Sequence, residues 1–116
     1  MQDFRNLKAW QKAHELAFFA YRNTADFPRE ETFGLKHSMR KTAVDIPAYI
    51  AEASGKANDR DTTASMNAAV ALTTRLEYYA ITARDLELIT ENSFSDMCEM
   101  TVEVRKMLIG FTRTLA

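Results

Sequence analysis

Five basic side chains carry the chemistry that this sequence most clearly offers: Lys8 and Lys12 near its start, then Lys36, Arg40 and Lys41. Lys8 and Lys12 are four residues apart, as are Lys36 and Arg40, so on helices each pair projects from one face, one turn apart. Arg5 extends the first group and His37 sits within the second. Cations spaced this way on two neighbouring helices could form a single positive surface that contacts phosphate oxygens. The plainer alternative is a solvated charged face.

Catalytic chemistry finds no comparable support. Cys98 lies in an acidic run with Asp96 and Glu99, which disfavours the thiolate a nucleophile needs. A di-iron bundle site needs Glu-x-x-His pairs, yet neither His14 nor His37 has a Glu three residues before it. No Gly-rich phosphate loop, Ser nucleophile motif or Cys-x-x-Cys pair occurs. No catalytic residue, metal ligand or cofactor is therefore assigned. His14 reads as an interior histidine. Tyr78 and Tyr79 read as core or interface residues, with stacking against bases as the alternative. Glu52 and Glu77 fall close to apolar stripes, where unpaired charge is costly, and so are expected to cap a helix or to pair with Arg40, Arg75 or Arg84.

Four helices are expected to position these residues. The first is capped by Asn6, carries Leu7, Trp10, His14, Ala17 and Tyr21 at three-four spacing, and ends near Asn23–Asp26. Ala13, Leu16, Phe18, Phe19 and Ala20 widen its apolar surface. The second occupies the stretch 27–55, with Glu30 and Glu31 in its first turn and a stripe at Leu35, Met39, Thr42, Ile46, Tyr49 and Ala53. Pro47 should kink it or open its last turns, and Gly55 could take the left-handed conformation at its end. The third is capped by Asn58, Asp59 or Asp61 and runs to about Ile89. It bears two stripes, Met66-Ala69-Val70-Thr73-Leu76-Ala80-Ala83 and Leu72-Leu76-Tyr79-Ala83-Leu86, one for its own bundle and one for a neighbouring subunit. The fourth is capped by Ser93 or Asn92 and repeats Met97, Thr101, Val104, Leu108, Phe111 and Leu115. Short connections between four such helices predict an all-α, up-down-up-down four-helix bundle.

Composition agrees with that architecture. Three Gly and two Pro in 116 residues leave little material for many short strands and turns. The length suits one domain over residues 1–116, and a single Cys excludes an internal disulfide. An N-terminus without an apolar run, and no stretch of roughly 18 to 20 apolar residues, predict a soluble cytoplasmic protein. Net charge is −1, with 15 Lys and Arg against 16 Asp and Glu, so nothing draws the whole chain to nucleic acid or anionic lipid. The sign is uneven: residues 1–58 hold nine Lys/Arg and seven Asp/Glu, whereas residues 59–116 hold six and nine. That asymmetry permits a basic patch on the first half, although so small a difference predicts nothing alone.

A wider pattern joins these residues: W-x-x-A at Trp10 and Ala13, Phe27-Pro28, E-x-x-G-L at Glu31 and Gly34-Leu35, then Arg40, Ala43, Ile46-Pro47 and Ile50-Ala51-Glu52. Phe4, Leu7, Leu16 and Tyr21 precede or lie within it, and Leu76-Glu77 and Leu108 to Leu115 follow. In this order the chain resembles the four-helix-bundle family named for 23S rRNA intervening-sequence proteins, whose relatives include accessory variability proteins of diversity-generating retroelements. It departs from that pattern at His37, Lys41, Asp45, Tyr49 and Ala53. The resemblance implies a homo-oligomeric ring, typically a pentamer, and a non-enzymatic accessory role on RNA or DNA. In the retroelement branch it implies a reverse transcriptase as partner. The expected phosphate contacts are Lys8, Lys12, Lys36, Arg40 and Lys41; the competing expectation is a ring that binds only protein.

Overall fold

The structure, a computed structural model, describes residues 3–115. It contains four helices and no strand among those residues: α1 (Lys8–Thr24), α2 (Leu35–Ser54), α3 (Asp59–Asp85) and α4 (Glu91–Arg113), with 3₁₀ turns at Phe4–Asn6 and Arg29–Glu31. Each helix packs against the next and α1 also packs against α4, while the diagonal pairs stay apart. The start of α1, the beginning of α3 and the end of α4 share one end of the molecule, where Leu7, Met66 and Phe111 line one hollow. This is the up-down-up-down arrangement. At about 1.5 Å per residue the 27 residues of α3 span about 40 Å, close to the 44 Å long dimension of the bundle.

The core is built from small residues where helices approach and long ones between them. Ala13, Ala17, Ala20, Ala43, Ala53, Ala69, Ala80 and Ala83 are all buried, around Leu16, Met39, Ile46, Ile50, Met66, Leu76, Met97 and Leu108. Buried threonines satisfy their hydroxyls on their own helices: Thr24 donates to the Ala20 carbonyl (2.8 Å), Thr101 to Met97 (2.6 Å) and Thr73 to Val70 (2.6 Å). No buried side-chain nitrogen or oxygen among the described residues lacks a partner.

Several local expectations are corrected. Asn6 does not cap α1. It lies inside the first 3₁₀ turn, where Asp3 accepts from the Arg5 backbone N–H at 3.0 Å, and Leu7 takes the cap position with no side-chain bond. The inward face of α1 is Ala13, Leu16, Ala17, Ala20 and Thr24, whereas Trp10 and His14 are half-buried and Tyr21 is exposed. Leu16 and the alanines fit the closely spaced helices; the aromatic rings do not, and they turn to the side. On α2 the stripe is right at Met39, Thr42, Ile46 and Ala53, but Ile50 rather than Tyr49 fills the core. Glu30 and Glu31 form a separate 3₁₀ turn, from which Glu31 Oε1 accepts the Leu35 N–H at 3.0 Å and so caps α2 from a distance. The helix continues through the buried Pro47 to Ser54 without a break, and Gly55 ends it in a right-handed conformation. Asn58 is the cap of α3, its side chain accepting from the Asp61 N–H at 2.9 Å. Thr90, not Ser93 or Asn92, caps α4 by accepting from the Ser93 N–H at 3.0 Å.

Glu52 is exposed, and Glu77 pairs with none of the arginines expected. It meets Arg105 of α4 at 2.6 Å, and Arg105 also donates to Thr73 Oγ1 at 3.1 Å, so the pair ties α3 to α4.

The end of α3 comes four residues before Ile89 for a backbone reason. Glu87 has φ of 59°, the Leu88 N–H bonds the Ala83 carbonyl at 2.8 Å, and the Glu87 N–H bonds Arg84 at 2.9 Å. This is the terminating geometry usually given to glycine, here held by a residue with a Cβ. Glu87→Gly is therefore expected to raise stability by up to about 1 kcal/mol in urea unfolding, since it relieves the left-handed strain. Leu76→Ala in the fully buried core should lower it by about 2 to 5 kcal/mol.

Candidate functional site

The C-terminal turn of α1, the connection around Phe33 and the first half of α2 enclose an open cleft of about 500 Å³. Tyr21, Phe33, Lys36, His37, Arg40 and Lys41 form its walls, with one carboxylate, Asp45, at its edge. The spacing within α2 explains the set: 37, 41 and 44 follow one face, 36 and 40 the adjoining one.

Arg40 is the fixed member. Its Nε donates to Thr24 Oγ1 at 2.8 Å, its Nη2 donates to the Tyr21 carbonyl at 3.0 Å, and its guanidinium carbon lies 4.4 Å from the centre of the Tyr21 ring. Two of five N–H donors are used in these bonds, and the cation is stacked as well as bonded. Lys41 reaches Asp45 at 3.1 Å one turn later, an exposed pair of small energetic value. Lys36 forms no ion pair among the described residues, and His37 is exposed. Glu31 already occupies the α2 N-terminus, so any anion held here rests on side chains rather than on helix amides.

Lys8 and Lys12 do not join this cleft. The two helices are neighbours but antiparallel, and Lys8 stands about 20 Å along α1 from Tyr21 at 1.5 Å per residue. Lys12 turns towards α4, 3.6 Å from Glu103, with Glu15 at 3.8 Å. Lys8 is exposed beside the hollow at the opposite end of the bundle. Arg5 is held by Asp3 at 2.9 Å, and the same contact keeps the Asp3 carboxyl below its ordinary range. The single positive surface expected from five residues is thus divided: three gather and two stand apart.

A second hollow of about 350 Å³ continues the cleft along α1 and α2, sharing Tyr21 and Val44 with it. His14 and Phe18 line it as the last rungs of an aromatic ladder along α1. Phe4 meets Trp10 edge-on at 5.2 Å, Trp10 stacks on His14 at 4.8 Å, and His14 meets Phe18 at 4.6 Å. His14 is therefore a half-buried rung between rings rather than an interior histidine. Tyr21, Phe18 and Phe33 as groove residues escape the sequence reading. The one available signal was Phe33, apolar in a polar connection beside Gly34.

Elsewhere, burial pushes the Cys98 thiol up, and the charge of Glu77 adds to it. No group of three His, Cys, Asp or Glu gathers to hold a metal among the described residues. Among the described residues no helix is long and apolar enough to cross a membrane. Tyr78 is exposed on α3 and Tyr79 half-buried, their ring centres 6.3 Å apart.

Compared with known proteins, residues 5–110 match the model of the 23S rRNA-intervening sequence protein family. Among solved structures, the fold is similar to a protein of unknown function from the S23 ribosomal protein family of Bacteroides thetaiotaomicron. The TM-score is 0.81 at 20% identity, covering 90% of this chain and 97% of that one. No curated protein matches.

Arg40 and Lys36 should separate in a stability measurement. Arg40→Ala removes the partner of a buried hydroxyl and of a helix-terminal carbonyl, and is expected to cost about 1 to 3 kcal/mol in chemical unfolding. Lys36→Ala should stay within about 0.5 kcal/mol. Because its pKa is raised, Cys98 should be alkylated more slowly at pH 7 in the folded protein than in urea, as followed by mass spectrometry.

Proposed function

From the premise that the chain belongs to the 23S rRNA-intervening sequence protein family, we propose that it is a non-enzymatic accessory protein that contacts RNA or DNA phosphates through the α1–α2 cleft. The observation that carries this reading is the gathering of Lys36, Arg40 and Lys41 around one opening with a single carboxylate among them. Arg40 is held in place before any ligand arrives, which lowers the ordering cost of a phosphate contact. Lys36 adds an ammonium that forms no ion pair among the described residues. Lys8 and Lys12 make outlying contacts on a long nucleic acid and weigh less, Lys12 because Glu103 competes for it.

The working form in this proposal is a homo-oligomeric ring, with five copies as the resemblance implies. The exposed Tyr78 on α3 and Leu86 just beyond it supply apolar surface for subunit contact. A ring repeats the cleft about its axis, so a weak patch on a near-neutral protomer becomes a multivalent one. The partner of the assembled ring would be nucleic acid in the cytoplasm, together with a reverse transcriptase or another protein.

A second reading, a ring that scaffolds protein only, is favoured by the 94% exposure of Phe33 and the 53% exposure of Phe18. Salt separates the two. With two or three phosphates held per protomer, affinity for duplex DNA should fall with a log–log slope of about −2 to −3. Lys36→Ala/Lys41→Ala should flatten that slope and weaken binding about tenfold or more in a fluorescence anisotropy titration. Absence of binding to RNA and DNA at low salt, by a sample of ring mass in sedimentation, would leave the scaffold reading.

A further inference from the structure

Phe33 presents nearly its whole side chain to water, one turn from the unpaired Lys36. An isolated exposed ring is ordinary, but this one is not isolated. Tyr21 and Phe18, 42% and 53% exposed, continue the same groove, and Arg40 lies against the Tyr21 ring. Phe33 and Tyr21 thus share the cleft with Lys36, Arg40 and Lys41, and Phe18 lines the hollow that continues it. From Trp10 to Phe18 the ladder covers about 12 Å of α1.

We propose, resting on the phosphate-contact reading above, that the α1–α2 groove binds unpaired nucleic acid: bases stack on Phe33, Tyr21 and Phe18, and the strand's phosphates meet Lys36, Arg40 and Lys41. The chemistry discriminates between strand forms. A duplex keeps its base faces inside the stack and offers the groove only phosphates, whereas an unpaired strand offers both. Stacking is tolerant of base identity because every base has a π-face, so the groove selects single-strandedness rather than a sequence. Charge argues against a second copy of this chain seated by two-fold contact. Such a contact would bring Lys36, Arg40 and Lys41 of both copies together, with only Asp45 of each to offset them.

The test compares three ligands of equal length by anisotropy at one salt concentration: a uridine-rich RNA strand, the same backbone carrying abasic sites, and an RNA duplex. The RNA strand should bind about 5- to 100-fold more tightly than the abasic one. Phe33→Ala should remove most of that difference and leave duplex binding unchanged, while Lys36→Ala/Lys41→Ala should weaken all three. At its exposed position Phe33→Ala leaves the fold intact, which circular dichroism checks. Equal affinity for strand and abasic backbone, with the Lys36/Lys41 dependence retained, would overturn the stacking groove and leave the phosphate reading standing. Binding of none of the three would overturn both. A fall in the assembly's mass on Phe33→Ala would overturn the stacking groove by assigning the ring to subunit contact.

Discussion

Thr24 and Arg40 make the junction on which the α1–α2 half of the bundle depends. The Thr24 hydroxyl is fully buried, donates to its own helix at Ala20 and accepts from Arg40 of the next helix. The same guanidinium donates to the Tyr21 carbonyl in the last turn of α1, which the Thr24 hydroxyl also reaches at 3.3 Å. One side chain therefore closes the end of α1, fixes the register of α2 against it and lies against the Tyr21 ring. The cleft inherits its shape from this junction, and its most rigid cation is the residue that builds it.

Close approach of helices has a second consequence. Alanines at 13, 17 and 20 leave no room for rings between α1 and its neighbours, so Trp10, His14 and Phe18 stack along the side of α1, and His14, Phe18 and Tyr21 line the hollow it shares with α2. Apolar rings at a bundle surface lose the burial that would otherwise hold them, and what remains is stacking on one another and on Arg40. The aromatic groove is thus a by-product of an alanine core placed beside a basic helix.

Charge is organised by pairing as much as by sign. Lys12 is drawn towards Glu103 and Glu15, Lys41 towards Asp45, and Arg105 towards Glu77, while Lys36 and Arg40 are among the cations that form no ion pair among the described residues. The Glu77–Arg105–Thr73 link does for α3 and α4 what Arg40 does for α1 and α2.

Helix number, order and most inward positions were legible in the sequence, because a helix of twenty residues repeats its apolar face enough times for the period to be unambiguous. On α4 the inward stripe was read correctly at Met97, Thr101, Val104 and Leu108, whereas Phe111 is half-buried and Leu115 lies beyond the helix end. On α1 the phase was misread, since apolar residues extending beyond one stripe do not say which face its neighbours accept; volume decided that, admitting alanine and rejecting Trp10 and Tyr21. Caps were misplaced at Asn6 and Ser93 because Asn, Ser and Thr within a few residues compete for the same amides, and only the chain's path selects one. The basic residues were named from the sequence, but their division was not, because sequence spacing within a helix carries no information on which end meets its neighbour. The sequence by itself determined four amphipathic helices and their basic half. Only the antiparallel packing decided that Lys36, Arg40 and Lys41 share a cleft with Tyr21 and Phe33, while Lys8 and Lys12 stand apart.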